Sequence, residues 1–263
     1  MSYQTSILKL IFNPFEVFFM KDKLRYGNKY SDADWGSDYF EVETDTPIGK
    51  IKVCHVVIND IGIISKALVE KVLDTSWMTN LDVGSKRAYD RTVQETASAL
   101  VEIFESTATH SDVGSEFGEV MVSIGSTKAL EKIFHHVILP IAELWKPQIK
   151  QNEGFDFHTV CSDMFINFGE AKYSGNVTPH GNAINQSKDF IDDEKHLRDY
   201  VHLRELASGA AVENLNNDSF GVVASFSINA TDPLKVLKNA IESAQDKLSL
   251  DSIKAVYLVG VSK

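Results

Sequence analysis

The chain has 263 residues, of which 43% are hydrophobic, enough to bury a real core in one large domain or in a domain with a substantial appendage. Its formal net charge of −11 works against unaided binding to nucleic acid, since affinity for phosphates comes largely from Lys and Arg releasing counterions. The apolar start from Ile7 to Met20 is interrupted by Lys9, Asn13, Pro14 and Glu16, so neither a signal peptide nor a membrane span is expected. Cys54 and Cys161 lack metal-ligand spacing and form no disulfide framework, which points to a reducing cytoplasm.

In chain order, residues 3–12, 38–43 and 50–58 carry β-branched and aromatic side chains in partial alternation, predicting a strand-rich N-terminal portion. Acidic residues recur from Asp32 to Tyr39 without the spacing or closing Glu of a calcium loop, which predicts a solvated loop with aromatic anchors. Helical spacing follows over Ile63–Leu73 and Lys86–Phe104, where Ala97, Leu100, Val101 and Phe104 form an apolar stripe. The polar stretch Ser106–Gly114 is a candidate boundary, dividing an N-terminal portion, 1–108, from a second portion, 109–263. Glu116 and Glu119 then open a helix, and Ser126–Phe134 continues as helix or turn. His135 and His136 are neighbours, which in a strand point to opposite faces and cannot share one ion, so a helix end or a satisfied surface pair is expected. A first core strand is predicted near Ile141–Lys146.

The segment Gly154–Ser174 reads as two short strands joined by a tight connection. Alternation places Met164, Ile166, Phe168, Glu170 and Lys172 on one face, an apolar face that ends in charge. Asp156 falls between Phe155 and Phe157 and is expected to face opposite to both, where its carboxylate can approach Glu170. Two carboxylates in a partly dry site repel, and a hard divalent cation relieves the repulsion. Mg²⁺ fits best, with Mn²⁺ as a substitute, because Mg²⁺ takes one or two protein carboxylates plus phosphate oxygens and water. Lys172 is placed to orient a water or to neutralise charge on phosphorus.

A loop over Gly175–Gly181 leads into a helix predicted from Ala183 to Leu206, with the stripe Phe190, Leu197, Val201 and Leu206. Lys188, Lys195, His196 and Arg198 offer modest positive charge for a phosphate backbone, diluted by Asp189, Asp192, Asp193 and Glu194. Asp193-Glu194-Lys195 is a competing acid-x-Lys string, set aside because two residues on a helix are about 200° apart. His158, two past Asp156, could line the cleft but reads better as a packed or exposed strand residue. Phe220–Ile228 and Ile253–Val261 are strands flanking a helix over Pro233–Lys247, which completes an α/β protein with a mixed central sheet flanked by helices.

Asp156, a gap of about a dozen residues, then Glu170-x-Lys172 at the end of an apolar strand resembles the PD-(D/E)xK nuclease superfamily. The longer string, Gly154-Phe155-Asp156 with Phe168-Gly169-Glu170-Ala171-Lys172-Tyr173, is similar to the HamA family, the nuclease subunits of Hachiman antiphage systems. The resemblance is concentrated between Glu116 and Leu206. It implies a restriction-endonuclease-like core within 109–263 and Mg²⁺-dependent endonucleolytic cleavage of DNA without sequence preference. It implies that Glu119, in Gly118-Glu119, joins Asp156 and Glu170 at the metal with Lys172 assisting, Glu116 being the alternative. It also implies that Gln186 contacts DNA while Phe190 packs, with Lys188 nearby, and that a HamB-like superfamily 2 helicase holds the nuclease inactive until DNA is altered. A different class is a nuclease-fold module that binds DNA or a partner protein, its carboxylates structural.

Overall fold

The computed structural model describes residues 23–45, 47–110, 113–145 and 154–263. They form an α/β protein built on one curled, mixed sheet of eight strands in the order β1-β2-β3-β8-β7-β6-β5-β4. The strands are β1 (Arg25–Asp32), β2 (Ser37–Glu43), β3 (Ile51–Ile58), β4 (Val137–Ile138), β5 (Phe157–Val160), β6 (Ile166–Lys172), β7 (Phe220–Ser227) and β8 (Ile253–Ser262). The four central strands, β3, β8, β7 and β6, are parallel, and the pairs at either side are antiparallel. Central strands covered on both faces should read as continuous apolar runs, and every residue of β7 is buried. The edge strand β1, Arg-Tyr-Gly-Asn-Lys-Tyr-Ser-Asp, is polar, as an unpaired edge must be to avoid further pairing.

Helices cover both faces. On one lie α1 (Ile61–Leu73), α2 (Val83–His110), α3 (Ser115–Phe134) and the short α4 (Ala142–Trp145); on the other lie α5 (His180–Asp192), α7 (Gly209–Asn216) and α8 (Pro233–Lys247), with α6 (Tyr200–Leu206) leading into α7. α3 is buried along nearly its whole length because it runs between the sheet and α2. Local chemistry sets the helix starts. The Asp60 carboxylate accepts from Ile63 N at α1, Ser208 Oγ from Ala211 N at α7, and Asp232 from Lys235 N at α8, where Pro233 occupies the first turn. Portions 1–108 and 109–263 share the one sheet, with β3 paired in parallel to β8. Among the described residues no helix is long and apolar enough to cross a membrane.

The strands expected over 38–43 and 50–58, the hairpin and the α8 helix stand where the periodicity placed them, whereas residues 3–12 lie outside the described residues. Three expectations are corrected. Ile141–Lys146 is not a strand: Trp145 is buried and its indole N–H donates to Pro140 O at 3.0 Å, which turns the chain into α4, and Lys146 lies outside the described residues. The strand there is Val137–Ile138, paired with β5. The helix expected over 183–206 is broken: α5 ends at Asp192, Glu194 adopts a left-handed backbone at φ 55°, and a 3-10 turn over Lys195–Asp199 precedes α6. Leu197 and Val201, expected in the stripe, are therefore exposed at 42% and 62%. Finally, Met164 sits in the β5–β6 turn at φ 60° and is exposed, so only Ile166 and Phe168 form the apolar start of that face. His135 ends α3 in a left-handed conformation, and His136 is buried with Nδ1 2.9 Å from Thr159 Oγ1.

Candidate active site

The site grows out of the β5–β6 hairpin. Phe157 pairs with Gly169, and a Cβ at Gly169 would lie 2.3 Å from the Phe157 ring, so only glycine lets the ring lie across the strand. Just before β5 the chain bends at Asp156. Phe155 and Phe157 consequently enter opposite cores, Phe155 against Phe168 and Phe190 and Phe157 on the α3 side, rather than sharing a face opposite Asp156. The bend is fixed by three hydrogen bonds: Asp156 N donates to Gly169 O at 2.8 Å, Asp156 O accepts from Ala142 N at 3.0 Å, and Asp156 Oδ2 accepts from Ala171 N at 2.7 Å. The last of these fastens the Asp156 carboxylate to the amide between Glu170 and Lys172.

Glu170 is 1% exposed, at the point where the apolar face of β6 gives way to charge. Its Oε1 lies 2.6 Å from Lys172 Nζ in an ion pair, yet neither carboxylate oxygen accepts a well-directed hydrogen bond. A buried carboxylate in that condition is costly, by several kcal/mol or roughly so, unless something completes its shell. Burial first, and then the negative charge of Asp156, push its pKa well above the usual 4.5, against the opposing pull of Lys172. For Lys172, burial works to lower the pKa, but Glu170, Asp156 and Glu119 together outweigh it and raise the ammonium above its usual 10.5.

α3 supplies the third acid. A Cβ at Gly118 would lie 2.2 Å from the Tyr173 ring, so the glycine lets the first turns of the helix press onto the residue after Lys172. Glu119 is exposed, and its charge acts on both Glu170 and Lys172. Glu116 instead lines a groove with Glu102, Ser106 and Thr107.

Beyond Lys172 the chain crosses to α5. The loop is pinned by Ser174 N donating to Ser227 Oγ at 2.9 Å and Asn229 Nδ2 donating to Val177 O at 3.1 Å. A cleft of about 520 Å³ opens here at the carboxyl end of β6, lined by Lys172, Asn182, Asn185, Gln186, Asp189, Phe190, Asp193 and Lys195. Ligands of open α/β sheets bind beyond the carboxyl ends of the strands, where this cleft lies.

Asp156, Glu170 and Lys172 are thus brought together, Glu119 stands near them, and Gln186 shares the cleft. Lys188 does not line the cleft; it pairs with Asp192 one turn on, at the surface. His196 is buried and cannot form part of a phosphate track. The Asp193-Glu194-Lys195 string lies at the helix break, so its 200° separation does not apply; Lys195 Nζ lies 3.8 Å from Asp193. Lys195, Asn182 and Asn185 were not singled out from sequence as one wall because the break that gathers them carries no glycine or proline. Among the described residues no three His, Cys, Asp or Glu side chains are gathered tightly enough to share one ion. The pair Asp156 and Glu170 nevertheless suits Mg²⁺, which takes one or two carboxylates, and the unmet oxygens of Glu170 are the donor atoms such an ion needs. Compared with protein-family models, curated proteins and solved structures, the chain matches none of them.

Proposed function

We propose that this chain is a Mg²⁺-dependent DNA endonuclease. The observation that carries the reading is the junction at the end of β6, where a buried carboxylate with unmet oxygens and a second carboxylate fixed by a backbone amide meet a charged lysine that itself lines a cleft. Asp156 and Glu170 would hold the ion, which when bound supplies Lewis-acid polarisation of a phosphodiester and a more acidic water. Lys172, kept protonated by its three acidic neighbours, stabilises negative charge developing on the phosphate oxygens. Glu119 orients water from the α3 side. Gln186 donates from the cleft wall to the substrate, and Phe190, buried beneath, holds α5 in place. A restriction-endonuclease-like core belongs to the same proposal, supported by the mixed sheet with helices on both faces.

The likeness of Gly154–Asp156 and Phe168–Tyr173 to HamA-family strings supports an antiphage effector held and released by a HamB-like superfamily 2 helicase in a bacterial cytoplasm. The net charge of −11 favours such delivery, because free association with DNA is weak. The test is degradation of plasmid by the purified chain at low salt, with Mg²⁺ against EDTA. Cleavage is expected with Mg²⁺ or Mn²⁺ alone. Undiminished cutting by folded Glu170→Ala or Lys172→Ala protein would refute the assignments, and absence of any cation-dependent cutting would leave the binding-module reading standing.

A further inference from the structure

Resting on the proposed nuclease site, we infer that Tyr173 is a positioning residue, whose ring against the bare backbone of Gly118 sets how far Glu119 reaches toward Glu170 and Lys172. A Cβ at position 118 would come within 3.0 Å of three carbons of that ring, where ordinary contact needs about 3.5–4.0 Å. Helix α3 and the end of β6 thus meet across one ring with no room to spare. Glu119 is the next residue, about 100° further round the helix, so any shift of that turn moves its carboxylate. It is exposed, and its charge bears on both Glu170 and Lys172. Among the described residues no three acids are gathered tightly enough to share one ion, so Glu119 serves through water, and the contact fixes that gap.

The two sides of the contact are held unequally. On the sheet side Lys172 is in register with Phe226 of β7, and Ser227 Oγ accepts from Ser174 N at 2.9 Å and donates to Ser174 O at 3.1 Å. Tyr173 lies between these two fixed neighbours. On the helix side Gly114 stands at the N-cap with no side chain to accept from the first amides. Phe117 is buried edge-on against Phe104 at 5.7 Å, which ties the turn to α2 and not to the sheet. The uncapped turn is therefore the side that yields when the contact is crowded or removed, and Glu119 moves with it. A water-orienting group displaced by about 1 Å costs about 10-fold or more in rate or metal affinity.

The test is a double-mutant cycle on the intact chain, crossing Gly118→Ala with Glu119→Gln. It is read by Mg²⁺-dependent plasmid cleavage and by Mn²⁺ affinity from electron paramagnetic resonance, each variant being checked for folding by thermal melting. Gly118→Ala is expected to lower cleavage about 10-fold or more in the chain with Glu119, and by less than about twofold in the Glu119→Gln chain. Mn²⁺ affinity is expected to fall in either single variant and no further in the combination. Tyr173→Ala, which removes the ring without crowding the helix, is expected to show the same dependence on Glu119, whereas Tyr173→Phe, which keeps the ring, stays near wild type. Equal losses in the two backgrounds, undiminished cleavage by folded Gly118→Ala or Tyr173→Ala, or a Tyr173→Phe loss as large as that of Tyr173→Ala overturns the inference. Cation-dependent cleavage by wild type in the same series shows that the nuclease reading survives it. Absence of both Mn²⁺ binding and cleavage in wild type overturns the two together.

Discussion

At the end of β6, Glu170 meets Lys172 beside an open cleft; on the neighbouring strand β5, opposite Phe168, His158 meets Asp199, with Nε2 to Oδ2 at 3.1 Å. Both pairs are buried. The histidine pair is sealed, its side chains 0% and 5% exposed, with Trp145 and Phe168 packed on the imidazole at ring-centroid distances of 5.5 and 5.2 Å. The glutamate pair is left incomplete, with carboxylate oxygens unmet and the capping lysine one quarter exposed. A sealed pair fixes neighbouring elements, here β5 to the turn before α6. A buried carboxylate with unmet oxygens under an accessible cation instead costs the fold something, and such an arrangement persists where a ligand completes it.

The largest expected effect separates the two directly. Glu170→Gln is expected to lower Mg²⁺-dependent plasmid cleavage by at least about 100-fold while the protein still melts cooperatively, because charge stabilisation at the reacting phosphate is lost. The same variant has a pH signature. With its pKa raised, Glu170 binds more protons in the folded chain than in the unfolded one, so its contribution is full below about pH 4.5 and is lost as the pH rises through the raised value. Wild type should therefore lose more stability than Glu170→Gln as the pH is raised from about 4.5 through that raised value, and Mg²⁺ should narrow the gap.

At the sealed pair the expectation inverts. Asp199→Ala should destabilise by about 3–5 kcal/mol, since it leaves a buried partner behind, yet leave cleavage per folded molecule close to wild type. Urea midpoints and plasmid turnover read the two effects apart. Next come two other buried histidines. Burial lowers the pKa of His55 to about 4, and burial with the nearby Lys52 charge does the same for His136. Their contribution is full above about pH 6.5 and is lost as the pH falls toward 4, by about 3 kcal/mol for each. His55→Gln should flatten the acid limb of stability measured by urea unfolding. The smallest effect is at the hairpin: Gly169→Ala forces Phe157 aside and should cost about 1–3 kcal/mol, with a smaller loss of cleavage than any change at Glu170.

The hairpin and its charges were legible because alternation, an Asp and Glu-x-Lys all fall within one short segment, and because the buried strands β3, β7 and β8 are long apolar runs. What escaped was set by tertiary contacts or by backbone choices without punctuation. The bend at Asp156 depends on the Gly169 carbonyl and on the Ala142 and Ala171 amides, all of them distant along the chain. The break at Glu194 uses a non-glycine left-handed residue, which no Gly or Pro announces. β1 escaped because a polar edge strand has no apolar face to alternate, and Ile141–Trp145 because a short apolar run fits strand and helix equally well until Trp145 finds its partner. The gathering of Lys195 with Asn182 and Asn185 in one cleft follows from that break, although Lys195 itself was legible as a charge.

The central claim is that Asp156 and Glu170, with Lys172 beside them, form a place for one divalent cation. Manganese binding to the purified chain, followed by electron paramagnetic resonance in wild type and in Glu170→Gln, measures it without reference to turnover. One bound ion in wild type, lost in the variant and displaced by excess Mg²⁺, is the predicted result; equal binding by both proteins, or none by either, would contradict it.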